Sequence, residues 1–87
     1  MNVQGKIVVV TGGADGIGAA MCRRFAKEGA AKVIVVDRNG EGAAKVAAEI
    51  GGEAVTLDVT DGEATAKMVA DIEARHGGID LFCANAG

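Results

Sequence analysis

The sequence of 87 residues contains no serine, no tyrosine, no proline and no tryptophan, and Phe25 and Phe82 are its only aromatic residues. The absence of proline favours uninterrupted helices and strands. The scarcity of aromatic side chains means that a core must be built from valine, isoleucine, leucine and alanine. The absence of serine and tyrosine removes two residue types that supply catalytic hydroxyl groups in many enzymes.

The charged residues are mixed and form no basic cluster, with nine Lys or Arg against 12 Asp or Glu and a net charge of −3. A nucleic-acid surface is therefore not expected. No apolar run approaches the ~20 residues of a membrane span, and the initial "MNVQGK" lacks the pattern of a signal peptide. We therefore predict a cytoplasmic protein with at most one small domain and no membrane segment.

The residues with the most versatile chemistry are few and scattered. Cys22 and Cys83 belong to no CxxC motif, so we expect two reduced thiols that serve as small core residues, with a disulfide or redox role as the less favoured alternative. His76 is the single histidine, and its place at the end of a predicted helix suits the helix dipole better than acid–base chemistry. No cluster has metal-ligand spacing, so no metal site is predicted.

Four apolar runs alternate with amphipathic segments along the chain. The predicted strands are residues 6–10, 32–36, 54–57 and 79–84. The predicted helices are residues 17–28, residues 41–50 and a third segment that ends near residue 76. The first helix is predicted to turn Ile17, Ala20, Met21 and Phe25 towards the core.

The order βαβαβαβ predicts a fold class. Strands that alternate with helices at this spacing form parallel sheets with helices on both faces. Right-handed crossovers give the strand order 3-2-1-4, which is the first part of a doubly wound, Rossmann-like α/β fold. The third helix is predicted to start with a capping box, in which the side chains of Thr60 and Glu63 each bond the other residue's backbone N–H.

The run "TGGADGIG", residues 11–18, joins the first strand to the first helix. Its glycines at 12, 16 and 18 follow the spacing G-x-x-x-G-x-G rather than the commoner G-x-G-x-x-G. Glycine permits unusual backbone angles and lets a pyrophosphate approach the backbone, and the N–H groups that open the helix point at such an anion. The run therefore indicates a dinucleotide phosphate site, with a purely structural turn as the alternative.

Acidic residues end the second and third predicted strands. Asp37 stands where a carboxylate can accept hydrogen bonds from a ribose diol, and its charge would repel the extra phosphate of NADP, so NAD is favoured. Arg38 could pair with that phosphate, but it follows an intact Asp and is interpreted as solvent-facing or packed beside adenine. Asp58 occupies the edge where open α/β sheets bind ligands, with a role in starting the next helix as the alternative.

Four motifs in order, "TGGADGIG", Asp37, "LDVT" at 57–60 and "NAG" at 85–87, resemble the N-terminal part of the short-chain dehydrogenase/reductase family. The resemblance implies a role for each matching position. Gly12, Gly16, Ile17 and Gly18 would line the pyrophosphate and the nearby nicotinamide side. Asp37 and Arg38 would flank the adenosine ribose, Asp58 would bond the adenine amino group and Val59 would pack on the ring. Asn85, Ala86 and Gly87 would pass behind the cofactor, with support of the strands as the alternative role for Asn85.

The same resemblance implies an oxidoreductase that moves a hydride between NAD and an alcohol or ketone, often as a homo-oligomer. The family's catalytic residues are a Ser and the Tyr and Lys of a YxxxK arrangement, and the sequence contains neither Ser nor Tyr. The fourth strand would also be an open apolar edge. We therefore expect residues 1–87 to be the N-terminal dinucleotide-binding portion of a larger domain, inactive alone. The alternative is a complete, non-catalytic NAD-binding module.

Overall fold

The computed structural model describes residues 2–85, in which strands and helices alternate. The strands are β1 (Ile7–Thr11), β2 (Lys32–Asp37), β3 (Glu53–Thr56) and β4 (Leu81–Cys83). The helices are α1 (Gly16–Lys27), α2 (Gly40–Ile50) and α3 (Gly62–His76). The strands form one parallel sheet in the order β3-β2-β1-β4. This arrangement confirms the predicted doubly wound α/β fold and its strand order.

The central strands are apolar because both of their faces are buried. Val8 and Val10 of β1 belong to a core cluster with α1 and α2, on one face of the sheet. Val9 points to the other face, where it packs with Met68 and Ile72 of α3. Side chains alternate between the faces of a strand, so a sheet covered on both sides requires a continuous apolar run. The run "KIVVV" thus predicted a doubly covered strand correctly.

The buried face of α1 differs from the prediction. Its buried residues are Gly18, Ala19 and Cys22, whereas Ile17 is 74% exposed. The prediction gave weight to large apolar side chains, but the small residues let the helix lie close to the sheet, and close packing decided which face turned inwards. Of the predicted residues, Phe25 still packs against the edge of this cluster.

The start of α3 also corrects a prediction. The N-cap is Asp61, whose side-chain oxygen accepts a hydrogen bond from the backbone N–H of Ala64 at 3.0 Å. Thr60 instead donates its hydroxyl to Asp58. The predicted Thr60–Glu63 capping box is therefore wrong. Aspartate is the better N-cap residue of the two, and the helix begins one residue later as a result.

Both cysteines are free, and Cys22 is fully buried between α1 and the sheet. Burial, and secondarily the neighbouring Cys83, raises the pKa of the Cys22 thiol to about 11. The thiolate is the reactive form of cysteine. Cys22 is therefore an inert core residue at neutral pH, as the sequence predicted.

An ion cluster joins the beginning of β3 to the end of α3. Arg75 donates two hydrogen bonds to the Glu53 carboxylate, at 2.7 and 2.5 Å, and a third to Asp71 at 2.9 Å. His76 Nε2 lies 3.4 Å from Glu53 Oε1. The bonds from Arg75, with a smaller effect from His76, lower the pKa of Glu53 to about 2. The cluster fixes the last turn of α3 against the sheet.

Replacement of Glu53 by glutamine should reduce stability in a pH-dependent way. A carboxylate whose pKa is depressed in the folded state stabilises above its unfolded pKa, and this contribution disappears as the pH falls from about 4.5 towards about 2. We expect Glu53→Gln to lower the free energy of unfolding by about 1 kcal/mol near neutral pH, the modest value reflecting partial exposure of the pair. Urea unfolding at several pH values measures the difference. Glu73→Gln, at an exposed position of α3, is the control, and an equal loss of stability in both variants would contradict the assignment.

Candidate functional site

A cavity of about 390 Å³ lies at the carboxyl ends of β1, β2 and β3. The residues that line it all follow or end a strand: Gly12, Asp37, Arg38, Leu57, Asp58, Val59 and Thr60. In a parallel sheet the carboxyl ends of neighbouring strands meet at one edge, and open α/β sheets bind ligands there. The volume is at the low end of the range for small-molecule sites, about 300–1,000 Å³.

The glycine-rich turn packs directly against the first turn of α1. Gly12 has φ +65°, a left-handed conformation that favours glycine. A Cβ placed on Gly18 would lie 1.9 Å from the carbonyl oxygen of Gly12, so only glycine fits there. The two residues together bring the start of α1 against the end of β1. Gly16 begins the helix, and Ile17 extends from its first turn into solvent.

The start of α1 differs from that of the other two helices in the described residues. The side chain of Asn39 accepts a hydrogen bond from the N–H of Gly42 at the start of α2, and Asp61 caps α3 in the same way. Asp15 holds the corresponding position of α1 without a side-chain capping bond in the described structure. The N–H groups of the first turn of α1 are therefore available to an outside anion.

Asp37 connects the end of β2 to the glycine-rich turn. Its Oδ2 accepts the backbone N–H of Ala14 at 3.1 Å, and its Oδ1 accepts the backbone N–H of Asn39 at 3.0 Å. These two bonds fix a carboxylate at the wall of the cavity, next to Gly12. Such a carboxylate can accept hydrogen bonds from hydroxyl groups of a ligand, because each oxygen carries more than one lone pair.

A second carboxylate faces the cavity from the end of β3. Asp58 Oδ1 accepts two hydrogen bonds from Thr60, from the backbone N–H at 2.9 Å and the hydroxyl at 2.7 Å. Arg38 Nη1 lies 3.9 Å from the other oxygen, Oδ2. The bonds from Thr60, and to a lesser degree the charge of Arg38, lower the pKa of Asp58. Asp58 is therefore ionised at neutral pH.

Thr11 connects the end of β4 to the glycine-rich turn through hydrogen bonds. Its hydroxyl donates to the carbonyl of Cys83 at 3.3 Å and accepts the backbone N–H of Asn85 at 2.9 Å. The Asn85 side chain donates in turn to the carbonyl of Gly12 at 3.4 Å. The bonds of Thr11 and Asn85 hold the backbone of the turn, and the Asn85 amide lies near Gly18, where an added Cβ would be 2.8 Å from Nδ2.

The structure brings most of the predicted site residues together. Gly12, Asp37, Arg38, Asp58 and Val59 line the cavity, while the glycines of α1 and Asn85 support its floor. Ala86 and Gly87 lie outside the described residues.

Sequence reasoning assigned no site role to Leu57 and Thr60 of the lining, or to Thr11 and Ala14 behind it. The signal that could have found Thr11 is its position as the one polar residue of an apolar strand. It is only 2% exposed, and a buried hydroxyl needs hydrogen-bond partners.

Among residues 2–85, no three side chains of His, Cys, Asp or Glu are grouped as a metal site would require. His76 lies at the amino end of the sheet beside Glu53, away from the cavity. No helix in the described range has the length and apolar character needed to cross a membrane.

Comparison with known proteins gives consistent relatives. A model of the short chain dehydrogenase family matches residues 6–87. An uncharacterized oxidoreductase of Bacillus subtilis, YuxG, is 46% identical over 89 residues, which cover 94% of this chain and 13% of that protein. Two solved structures from Brucella melitensis are similar. A ribose-5-phosphate isomerase has a TM-score of 0.92 and 37% identity, over 99% of this chain and 33% of its own. A 3-ketoacyl-(acyl-carrier-protein) reductase complexed with NADH has a TM-score of 0.85 and 38% identity, over 92% of this chain and 34% of its own.

The chain therefore spans 13% to 34% of the length of these relatives. The family model, in contrast, extends over almost all of the chain, from the first residue before β1 to the end of the sequence. The doubly wound sheet with the order 3-2-1-4 agrees with it. The chain belongs to the short-chain dehydrogenase family.

Proposed function

We propose that the cavity binds the adenosine half of NAD, and that a protein carrying this chain transfers a hydride between NAD and an alcohol or ketone. The observation that carries the proposal is the cavity itself, which places Gly12 and two carboxylates, Asp37 and Asp58, around about 390 Å³. It opens at the edge of the sheet where dinucleotides bind in doubly wound folds. The oxidoreductase and the NADH-complexed reductase among the relatives support the reaction class.

The residues present fit two parts of the dinucleotide, the pyrophosphate and the adenosine. The N–H groups at the start of α1 lack a side-chain cap in the described structure, so they can donate to the pyrophosphate near Gly12, Gly16 and Gly18. Asp37 would accept the ribose hydroxyls. Asp58 would accept a hydrogen bond from the adenine amino group, while Val59 and Arg38 would border the adenine ring. Behind the cofactor, Asn85 would steady the turn through Gly12, and Ala86 and Gly87 would continue that segment.

The charge at the end of β2 favours NAD over NADP. The Asp37 carboxylate is fixed by two backbone N–H groups, so it cannot withdraw from a phosphate on the adjacent ribose hydroxyl, and two negative charges at close range repel. Among the described residues that line the cavity, Arg38 is the one cation, but it is oriented towards Asp58 at 3.9 Å. Its charge is therefore partly compensated within the protein.

The nicotinamide ring of NAD, when bound, supplies the hydride chemistry, and the residues of this chain bind and orient the other half of the molecule. The sequence holds neither the Ser nor the Tyr on which the family's proton transfer depends. One similar structure is named ribose-5-phosphate isomerase, and a fold by itself does not determine which reaction a protein catalyses. The substrate site, and assembly into a homo-oligomer, would involve residues beyond those of this chain.

We expect the purified 87-residue chain to catalyse no NAD-coupled oxidation of alcohols. The measurement is absorbance of NADH during incubation with a panel of primary and secondary alcohols, with an intact dehydrogenase as the positive control. Turnover by the chain alone would contradict the assignment of a binding role to these residues. Titration of the same chain with NADH, followed by fluorescence, tests the binding itself, and absence of any saturable signal in a folded sample would overturn the proposed cofactor.

Size-exclusion chromatography during that titration separates the two forms that the binding role could take. A complete NAD-binding module gives a folded monomer with measurable affinity for NADH. A portion of a larger domain gives weak binding and association through the open edge of β4.

A further inference from the structure

We propose that Thr60 is a positioning residue, which holds the Asp58 carboxylate so that one of its oxygens can accept the hydrogen bond from an adenine amino group. The inference rests on the proposed NAD function, which assigns Asp58 to the adenine amino group, and it adds Thr60 as the residue that orients this carboxylate. Thr60 itself lines the cavity, so it stands beside the ligand as well as beside Asp58.

The hydrogen bonds of Thr60 make the two oxygens of Asp58 unequal. Both donors of Thr60 go to Oδ1, at 2.9 and 2.7 Å. Oδ2 faces the cation of Arg38 at 3.9 Å, which is beyond hydrogen-bond distance. The carboxylate is thus held in one rotational position, and Oδ2 keeps its capacity to accept a hydrogen bond from a ligand.

The start of α3 shows that the Thr60 hydroxyl is not needed for the helix. Asp61 supplies the N-cap through its bond to the N–H of Ala64, and its backbone N–H bonds the carbonyl of Asp58. The sequence predicted Thr60 as the cap, and the displacement of the cap by one residue leaves its hydroxyl for Asp58. The hydroxyl bond therefore has one recipient, the carboxylate in the cavity wall.

An oriented carboxylate oxygen discriminates between bases by hydrogen-bond type. The amino group of adenine donates a hydrogen bond, whereas hypoxanthine carries a carbonyl oxygen at the same ring position, and two acceptors repel. Loss of the orientation lets Asp58 rotate, because only the backbone N–H of Thr60 would then hold Oδ1. Discrimination between the two bases should weaken more than overall binding.

The test compares NADH with reduced nicotinamide hypoxanthine dinucleotide as ligands of the chain, of Thr60→Val and of Thr60→Ser. Valine keeps the shape of threonine and removes the hydroxyl, and serine restores the donor. We expect the ratio of the two dissociation constants to fall about three- to ten-fold in Thr60→Val and to remain near the original value in Thr60→Ser. Thermal unfolding of each variant checks that the fold is retained.

The outcomes separate the inference from the proposed function. An original chain that binds neither dinucleotide overturns the proposed function and this inference with it. An original chain that prefers NADH, with an unchanged ratio in Thr60→Val, overturns the inference alone. An equal loss for both ligands in Thr60→Val assigns Thr60 a structural role only and overturns it as well.

A spectroscopic readout does not depend on ligand. Carboxyl NMR titration should find the pKa of Asp58 higher in Thr60→Val than in the original chain, because the first cause of its depression is the bond from the hydroxyl. Arg38 and Asp37 border the same cavity and are unchanged between the two samples. An unaltered Asp58 titration would contradict the hydrogen bond on which the inference stands.

Discussion

Replacement of Gly18 by alanine should lower the free energy of unfolding by about 3 kcal/mol or more. The added methyl group would lie 1.9 Å from the carbonyl oxygen and 2.7 Å from the carbonyl carbon of Gly12. Both atoms belong to backbone, which cannot move aside as a flexible side chain can. The start of α1 would have to move away from the turn, so its backbone N–H groups would no longer point at the pyrophosphate. The affinity for NADH should therefore fall by at least about ten-fold, or 1.4 kcal/mol.

Gly62 offers a matched control for this prediction. It is the first residue of α3, as Gly16 is of α1, and a Cβ there meets no described atom within 4 Å. Gly62→Ala should leave stability unchanged or raise it by about 0.5–1 kcal/mol, since alanine is the better helix former. Chemical denaturation of the two variants gives both values. Equal stability of Gly18→Ala and Gly62→Ala would show that the helix and the turn are not as close as described.

Replacement of Asp37 by alanine should weaken NADH binding by about 10- to 100-fold, which is 1.4–2.8 kcal/mol, and should remove the preference for NADH over NADPH. The proposed hydrogen bonds to the ribose are lost, and so is the negative charge that opposes the additional phosphate. The backbone N–H groups of Ala14 and Asn39 also lose their acceptor. Each N–H that loses a partner costs about 1 kcal/mol of stability when water does not replace the bond fully.

Two further variants separate the charge of Asp37 from its hydrogen bonds. Asp37→Asn removes the charge but keeps one oxygen acceptor, so it should relax the cofactor preference while retaining more stability than alanine. Glu41→Gln removes a charge from the exposed first turn of α2 and should alter neither property beyond a few tenths of a kcal/mol. Titration with NADH and NADPH measures the preference. An Asp37→Ala variant that still discriminates against NADPH would place the selectivity elsewhere.

The fold was predictable from the sequence because its strands are buried on both faces. In the strand predicted over residues 32–36, residues 33–36 are apolar and buried, as a sheet covered on both faces requires. The glycine spacing and the acidic residues at strand ends also led to the cavity, since strand order brings those ends together. The observed boundaries of the elements differ from the predicted ones by one or two residues, and β4 is shorter than predicted. Both differences arise because the ends of helices and strands fray where regular hydrogen bonding stops.

The remaining details depended on competition that the sequence does not display. At α1, small residues outcompeted larger ones for the buried face, since Gly18 and Ala19 permit a closer approach than Ile17. At α3, two neighbouring residues could cap the helix, and only the structure shows that Asp61 does so. Thr11 occurs within the recognised motif, but its bonds to Cys83 and Asn85 span more than 70 residues of sequence. Local patterns contain no information on such distant partners.

The ion cluster around Glu53 gives the protein a practical property. It lies at the amino end of β3, while Asp58 follows the carboxyl end, about 15 Å away at the usual rise of a strand. Substitutions at that separation usually act additively on stability. Stabilising substitutions around Glu53 and Arg75 can therefore offset destabilising substitutions in the glycine-rich turn without altering ligand recognition. Such compensated pairs would allow variants of the turn to be studied that would otherwise unfold.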